Sequence, residues 1–184
     1  MIAEFFPDVT VRRVPGDHKD AVAVNVTLAR KGSVYRSIPL TYVAMRADIP
    51  ELAEIARRSF EHDHWHRDPK TAARADDYKA EWITNCLYGR ADMVFVERDE
   101  QGLMGFIACT ANDETGAAID LIAVRPDMRR CGIGRSLVET ALSYYCGKPV
   151  TVTTQATNAP ALALYRKLGF VETGRVSIYH DQSD

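Results

Sequence analysis

Apolar and polar residues alternate strictly in one early stretch of the chain. Within residues 22–28, valines and a leucine are separated by Ala, Asn and Thr, which is the period-two pattern of a half-buried strand. Turn-forming residues flank this stretch at Pro15-Gly16-Asp17 and Lys31-Gly32-Ser33. No catalytic group of residues is evident there. We therefore predict a β-rich appendage over residues 1–40 and a main domain over residues 41–184.

Farther along, the apolar positions change to helical spacing. A first helix is predicted after Asp48, where Asp48 and Glu51 form a capping-box pattern. Further helices are predicted over residues 73–87, 133–146 and 159–168, each with one apolar stripe. A polar, aromatic loop over residues 61–69 separates the first two helices.

Short β-rich segments occupy the rest of the main domain. They cover residues 41–46, 93–97, 103–110, 117–124, 150–155 and 170–179. The turns between the middle segments are polar and contain glycine, which favours an antiparallel meander. We predict one α/β (α+β) domain.

Composition narrows the function classes. The chain has 184 residues, of which 46% are hydrophobic and 26% charged, with a formal net charge of −2. These values are typical of one globular domain and remove the main argument for a nucleic-acid partner. Four cysteines lie far apart and no signal peptide or membrane-length apolar run is present. We expect a cytoplasmic protein with no membrane partner.

A glycine-containing basic loop provides the first chemical clue. A predicted strand ends at Val124, a loop with Gly132 and Gly134 follows, and a helix begins near Ile133. Glycines let backbone N–H groups approach a bulky anion, and a helix N-terminus adds unpaired donors, so the loop suits a phosphate. The loop is neither a Walker A sequence nor G-x-G-x-x-G. A glycine-rich helix cap is the alternative.

A second motif lies downstream of this loop. Arg129-x-x-Gly132-x-Gly134 is followed by Asn158-Ala159-Pro160-Ala161-Leu162-Ala163-Leu164-Tyr165-Arg166-Lys167-Leu168-Gly169-Phe170. Together the two segments resemble the GNAT superfamily of acetyl-CoA-dependent N-acetyltransferases. The resemblance implies a mixed, largely antiparallel central sheet flanked by helices, with acetyl-CoA as the acyl donor.

The resemblance also assigns cofactor contacts. The backbone of the loop would hold the pyrophosphate of acetyl-CoA, through Arg129, Arg130, Cys131, Gly132, Ile133, Gly134 and Arg135. The pantetheine arm would lie between the strand ending at Val124 and the strand over residues 150–155, pairing with the backbone of Ile122, Ala123 and Val124. One N–H group there would polarise the thioester carbonyl. Asn158 would contact the arm.

Tyr165 is the predicted catalytic residue. A phenol stays protonated at neutral pH and can donate its proton to a departing thiolate, whose reference pKa is lower. Tyr165 is therefore a suitable general acid for collapse of the tetrahedral intermediate. The alternative is a core tyrosine beside Leu164 and Leu168 on an amphipathic helix.

The proton lost by the acceptor amine needs a base. The polar loop offers four candidates, namely Asp63, His64, His66 and Asp68, and a water chain to solvent is an equal alternative. Three alternating histidines in this loop also raise the question of zinc. In an extended segment alternate side chains point to opposite faces, so we expect no metal.

A narrower resemblance concerns the acceptor. The segments Ala56–Phe60, Asp68-Pro69 and Ala75–Asn85 resemble the dTDP-fucosamine acetyltransferase family. That resemblance implies acetylation of a dTDP-linked 4-amino-4,6-dideoxyhexose for surface polysaccharide synthesis. The residues it places against this amino sugar nucleotide are Phe60, His64, Trp65, His66, Tyr78 and Trp82. Helix packing is the alternative for Tyr78 and Trp82.

Two departures leave the acceptor open. Cys131 replaces the usual basic or amide residue of the phosphate loop, and His64-Trp65-His66-Arg67 replaces the usual start of the acceptor loop. An aromatic ring at Trp65 would suit stacking on a pyranose or thymine. The alternatives are a protein N-terminal or antibiotic acetyltransferase and an acyl-CoA-binding module without turnover. A homodimer is one assembly that the sequence allows.

Overall fold

The computed structural model describes residues 2–32 and 41–182, with the side chains of Ala3 and Gln182 left aside. The predicted turn at Ser33 lies outside the described residues. The helices are α1 (Ile2–Phe5), α2 (Ile49–Arg57), α3 (His64–Arg67), α4 (Ala72–Asn85), α5 (Ile133–Tyr144) and α6 (Ala159–Lys167). The strands are β1 (Val9–Pro15), β2 (Ala23–Arg30), β3 (Tyr42–Val43), β4 (Met93–Asp99), β5 (Gly102–Asn112), β6 (Gly116–Val124), β7 (Val150–Gln155) and β8 (Val171–Gln182).

All eight strands form one sheet in the order β1-β8-β2-β7-β6-β5-β4-β3. Among the described strands only β6 and β7 pair in parallel, and every other pair is antiparallel. The predicted mixed α/β fold with a largely antiparallel sheet and flanking helices is therefore confirmed. The parallel pair follows from the βαβ connection through α5, since parallel neighbours need a crossover.

Two apolar cores cover the two faces of this sheet. On one face α5 and α6 pack over β6 and β7 through residues such as Leu137 and Leu162. On the other face α2 and α4 pack over β4 and β5 through Ala56 and Ile83, both inaccessible to solvent. Burial of each large aliphatic side chain contributes about 1.5–3 kcal/mol, so both helix layers are fixed to the sheet.

The N-terminal residues contribute to the same sheet. β2 lies between β7 and β8 and pairs antiparallel with both. Its Val26 and Leu28 are completely buried. The predicted strand over residues 22–28 is thus a central strand. The division into an appendage and a main domain at residue 40 stays a prediction, although β1 and β2 pair with the main sheet.

Several local predictions were wrong. The capping box at α2 does not form: the Asp48 carboxylate accepts the N–H of Met45 at 2.8 Å, and Glu51 accepts the N–H of Leu103 at 2.8 Å. The strand expected over residues 41–46 is confined to β3. The loop over residues 61–69 contains the short helix α3, whose start is capped by Asp63.

None of the described helices is both long enough and apolar enough to cross a lipid bilayer.

Candidate active site

The sheet opens between its two parallel strands. β6 and β7 pair at Ala117↔Val150, Ala118↔Thr151 and Ile119↔Val152, and the pairing ends there. Beyond that point the β6 edge that faces β7 has no strand partner among the described residues. Backbone N–H and C=O groups at such an edge need partners, so the edge over residues 120–124 is suited to pair with an extended ligand.

A β-bulge lies where the two strands separate. Ala108 opposes Leu121 and Cys109 opposes Ile119, which leaves Asp120 as the extra residue of β6. The bulge reverses the alternation of side chains, since Ile119 packs in the core beneath α5 whereas Leu121 packs in the core beneath α2 and α4. A bulge re-aims the side chain it carries, and here that side chain is a carboxylate that faces a cavity.

The cavity in this opening has a volume of about 390 Å³, within the range of small-molecule sites. Its walls come from both sides of the sheet opening and from the loop before α3. The predicted site residues that line it are Phe60, His64, Trp65, Trp82, Ile122, Asn158 and Tyr165. The structure therefore brings the two predicted groups, acyl side and acceptor side, into one cavity.

Tyr165 lies in the wall of this cavity on α6. Its ring is almost fully buried, packs against Phe170 and belongs to the core beneath α5 and α6. Burial raises the pKa of the phenol well above its usual value. The group thus stays protonated at neutral pH, as a general acid requires. Tyr165 thus packs in the core and lines the cavity at the same time, so packing and a catalytic role do not exclude each other.

Asn158 combines structure with cavity lining. Its Oδ1 accepts the N–H of Ala161 at 3.3 Å and so caps α6, while its Nδ2 donates to Thr154 Oγ1 at 3.2 Å. These bonds fix the amide at the mouth of the opening. Of the predicted neighbours on β6, Ile122 lines the cavity, whereas the side chain of Ala123 is buried beneath α2 and that of Val124 packs toward α5.

The glycine-containing loop has the backbone shape of an anion site. Gly132 has φ 90° and caps the start of α5, and Arg130 has φ 69°. A Cβ on Gly132 would meet no atom within 4 Å, so its glycine is required by the left-handed backbone. The first N–H groups of a helix have no intrahelical partners. This construction fits a pyrophosphate such as that of acetyl-CoA.

The basic side chains of this loop are partly committed elsewhere. Arg129 donates to the carbonyl of Val124, the carbonyl of Arg58 and the Glu61 carboxylate, at 3.3–3.4 Å. Arg135 pairs with Glu139 at 2.8 Å. Cys131 is exposed and its Sγ lies 3.7 Å from the carbonyl of Arg129. Arg129 therefore ties the loop to the segment after α2, which leaves mainly backbone N–H groups of the loop to face an anion.

Trp65 does not offer a stacking surface to a ligand. One face of its ring stacks on Phe6 at 4.2 Å between centroids, and the other face lies on His180 at 4.8 Å. Only 2% of the residue is exposed. The expectation that Trp65 stacks on a sugar or base was wrong, because two rings from distant parts of the chain already cover it.

Two further predicted acceptor residues are held by contacts within the protein. Tyr78 packs against Phe5, Phe6 and Trp65, and burial raises its pKa to about 12. His66 bonds Asp63 through Nδ1 at 2.6 Å and Asp76 through Nε2 at 2.8 Å. Neither residue lines the cavity, so helix packing accounts for Tyr78 and a carboxylate bridge accounts for His66.

Asp63 is an anion held in place. Its Oδ1 accepts the N–H and the ring N–H of His66, and its Oδ2 lies 2.7 Å from the Lys79 ammonium. Although burial opposes the charge, Lys79 and His66 hold the pKa of Asp63 well below its usual value. A carboxylate so stabilised is a poor proton acceptor, which argues against Asp63 as the catalytic base.

Sequence reasoning missed several residues of the cavity wall. Lys79 is nearly buried, with its ammonium 4.7 Å from the Trp82 ring and 5.0 Å from the Phe60 ring. Asp120 accepts the indole N–H of Trp82 at 2.8 Å. A charged residue inside the apolar run 117–124 was a usable signal for Asp120. Arg13 and Asn25, from β1 and β2, also line the cavity, and no local signal marked them.

The alternating histidines His62, His64 and His66 do not form a metal site. The three residues are not in an extended segment, because α3 begins at His64. Within residues 2–32 and 41–182 no group of three or more His, Cys, Asp or Glu side chains is placed to hold a metal ion.

Comparison with known proteins gives relatives of several kinds. The chain is 28% identical over 137 residues to the spore coat polysaccharide biosynthesis protein SpsD of Bacillus subtilis, covering 72% of this chain and 47% of SpsD. It is 29% identical over 132 residues to the dTDP-fucosamine acetyltransferase of Escherichia coli O6:H1, an alignment that covers 69% of this chain and 56% of that protein. It is 37% identical over 82 residues to the peptidyl-lysine N-acetyltransferase YjaB of Escherichia coli K12, an alignment that covers 45% of this chain and 50% of YjaB. The chain thus spans about half the length of these curated relatives.

A solved structure shows the same fold. The acetyltransferase of the GNAT family from Novosphingobium aromaticivorans superposes with a TM-score of 0.66 at 17% identity, covering 97% of this chain and 69% of that chain. The sequence profile of the Acetyltransferase (GNAT) family matches residues 49–170, which include the phosphate loop, the sheet opening and Tyr165. This chain belongs to the GNAT acetyltransferase family.

Proposed function

We propose that the chain transfers an acetyl group from acetyl-CoA to the amino group of a nucleotide-linked amino sugar. The favoured acceptor is a dTDP-4-amino-4,6-dideoxyhexose, used for surface polysaccharide synthesis. The observation that carries the proposal is the single cavity in the opening between β6 and β7. Both the acyl-side residues Asn158 and Tyr165 and the acceptor-side residues His64 and Trp82 line it.

The acyl half of the site acts by positioning and by hydrogen bonding. The loop over residues 130–135 would hold the pyrophosphate through backbone N–H groups, and the unpaired β6 edge would align the arm of acetyl-CoA. A backbone N–H on that edge, near Ile122, would stabilise the oxyanion that forms when the amine attacks the thioester carbonyl. Tyr165 would then donate its phenolic proton to the departing thiolate.

The acceptor half is polar and enclosed by charged pairs. Asn25 presents a buried Oδ1 that has no hydrogen-bond partner in the described part of the chain. Asp120 and Gln155 line the same wall. Hydroxyl groups of a sugar would satisfy such acceptors, since buried polar groups need partners. SpsD and the dTDP-fucosamine acetyltransferase also align with 72% and 69% of this chain.

A peptidyl-lysine acceptor is the second candidate. The observation that favours it is the higher identity to YjaB, 37%, although that alignment covers only 45% of this chain. A lysine side chain carries no hydroxyl groups to pair with Asn25 or Gln155. We therefore rank the amino sugar first.

The test is an acceptor panel with acetyl-CoA, followed by release of free thiol. It compares dTDP- and UDP-linked amino sugars with lysine peptides, an α-amino peptide and an aminoglycoside, each against a no-acceptor control. We expect the highest kcat/KM with one dTDP-4-amino-4,6-dideoxyhexose, and inhibition of its turnover by free thymidine nucleotide. Faster turnover of a peptide or aminoglycoside would contradict the proposal. Binding of acetyl-CoA without transfer to any amine would identify a binding module.

A reducing compartment suits the cysteines. None of the four cysteines forms a disulfide: Cys131 and Cys146 are exposed, and Cys86 and Cys109 are buried. Free exposed thiols are typical of cytosolic proteins, and nucleotide sugars and acetyl-CoA are cytosolic substrates under this proposal. We accordingly propose a cytoplasmic location.

A further inference from the structure

Three ionisable side chains form a hydrogen-bonded row that ends at the cavity. The Nδ1 atom of His180 lies 2.6 Å from Asp68 Oδ2, and its Nε2 atom lies 2.7 Å from Nδ1 of His64. His180 is on β8, whereas Asp68 follows α3, so the row joins segments 112 residues apart in sequence. The side chain of His180 is 2% exposed, and His64 lines the cavity.

The hydrogen bonds of the row assign its protons. Hydrogen bonds from the backbone N–H of Lys70 and from His180 keep the pKa of Asp68 low despite partial burial, so Asp68 is an acceptor only. His180 therefore carries its proton on Nδ1 and accepts at Nε2. His64 must therefore donate from Nδ1, and its Nε2 atom then has a free lone pair that can accept a proton.

We propose that His64 is the general base for the acceptor amine and that His180 and Asp68 are its positioning residues. The inference rests on the proposed transfer of an acetyl group to an amine. As the amine nitrogen bonds to the thioester carbon, its N–H bond breaks and an N–H bond forms at Nε2 of His64. The Nδ1–H bond of His64 breaks in turn, and an N–H bond forms at Nε2 of His180.

The row gives the positive charge that a base acquires a place other than the buried ring of His64. Burial is the main factor that lowers the pKa of His64, to about 3, so a positive charge on its ring is strongly disfavoured. The charged and titratable groups that face it are Asp63 before α3, Lys79 on α4, Arg13 on β1 and His180 on β8. Passing the proton inward moves the positive charge to His180, which is hydrogen-bonded to the Asp68 carboxylate.

Proton balance over one turnover is closed. The amine loses one proton to the row, and the thiolate gains one proton from Tyr165. The row then returns its proton through His64 to the cavity, where water restores the phenol. No oxidant, metal or additional reactant is needed.

The tautomers of the His64 and His180 rings can be determined without an activity assay, and they test the proposal directly. We expect long-range ¹H–¹⁵N correlation spectra at neutral pH to show both His64 and His180 protonated at Nδ1. In Asp68→Asn the Oδ1 atom keeps the Lys70 N–H, which the wild type binds at 3.0 Å, so an NH₂ group faces His180. Both rings should then switch to Nε2–H. An Nε2–H tautomer of His64 in the wild type overturns the proposal.

The kinetic test uses the same substitution. Asp68→Asn should lower kcat at neutral pH by about 10²-fold with the KM for acetyl-CoA unchanged, and the deficit should shrink as pH rises and hydroxide replaces the base. Asp181→Asn, an exposed neighbour of His180 paired with Arg12, is the matched control. If kcat of Asp68→Asn stays within threefold of wild type across the pH range, the proposed role of the row is wrong. A deficit of Asp68→Asn that is independent of pH would contradict it as well.

Two further variants keep the outcome decisive. If Asp68→Asn does not fold, His180→Gln takes its place, because its amide oxygen can accept from His64 but cannot take up a proton, and it should show the same pH-dependent deficit. His64→Ala should regain turnover with added imidazole. If the wild type transfers acetyl to none of the amines, the proposed function fails, while the tautomers still report whether the row exists.

Discussion

Tyr165 lies where the hydrophobic core meets the cavity. Its ring is held between core residues such as Leu162 and Phe170, while the cavity between β6 and β7 reaches the same side chain. The core fixes the phenol, and its burial raises the pKa of the hydroxyl group. A single position thus provides both the rigidity and the protonation state that a general acid needs.

Replacing Tyr165 with Phe tests this role at the residue scale. Because the ring is retained, the fold and the affinity for acetyl-CoA should be preserved, while kcat should fall by about 10²-fold. Steady-state thiol release measures the loss, and Tyr144→Phe, on the exposed face of α5, is the control that should keep full activity. Unchanged kcat in Tyr165→Phe would show that another group protonates the thiolate.

His64 makes a prediction about stability against pH. Its folded pKa is about 3, whereas an unfolded histidine titrates near 6.5. Below that value the unfolded chain binds the extra proton, so stability falls as pH drops from about 6.5 toward 3.

Urea unfolding of the wild type and His64→Gln measures this contribution. Between about pH 7 and pH 4.5 the wild type should lose on the order of 1–2 kcal/mol more than the variant. His66 works in the opposite direction, since although burial lowers its pKa, Asp63 and Asp76 raise the pKa above its usual value, but it is present in both proteins. Equal pH dependence of the two proteins would contradict the assigned burial of His64.

What the sequence predicts at this scale is limited by long-range packing. Tyr165 and Asn158 were predictable because a family motif marks them. Trp65 was not, because its two faces are covered by Phe6 and His180, which are distant in sequence. His180 carries no local signal either, since its role depends on β8 lying beside α3.

At the element scale, the phosphate loop and the β6 bulge decide the geometry of the site. The loop passes through two left-handed residues, Arg130 and Gly132, before α5 begins. The bulge at Asp120 turns a charged side chain into the opening. The loop was predicted from its glycines, whereas a bulge depends on register with β5 and could not be predicted from the strand alone.

Gly132→Ala tests the loop. The substitution strains a backbone at φ 90° and should lower the free energy of unfolding by about 1–2 kcal/mol. Part of this strain is relieved if the loop moves away from its present position. We expect the Kd for acetyl-CoA to rise about tenfold, measured by calorimetry. Gly147→Ala is the matched control, because Gly147 has φ 84° and equally open surroundings but lies between α5 and β7. An equal loss of affinity in both variants would mean that the effect is general strain.

At the scale of the whole molecule, the N-terminal strands complete the sheet. β2 fills the position between β7 and β8 and pairs antiparallel with both, and Arg13 and Asn25 reach the cavity. Its alternating pattern predicted a strand but gave no indication of where the strand pairs, because register and neighbours are set by distant segments. The strands β3 to β7 lie side by side in chain order, whereas β8 lies between β1 and β2.

Removing residues 1–32 should therefore do more than shorten the protein. Without β2, the edges of β7 and β8 lose their partners and the apolar face that Val26 and Leu28 cover is exposed. We expect the truncated chain to lose cooperative thermal unfolding and to aggregate, as followed by circular dichroism and light scattering. A truncated chain that melts cooperatively near the wild-type temperature would show that residues 1–32 are a dispensable appendage.

The most direct test of the account is a crystal structure of the chain with acetyl-CoA. We predict the pyrophosphate on the backbone N–H groups of residues 130–135, the arm along the free edge of β6, and the thioester sulfur beside the phenol of Tyr165 at the cavity. Acetyl-CoA bound outside the opening between β6 and β7, or with its thioester turned away from Tyr165, would contradict the account.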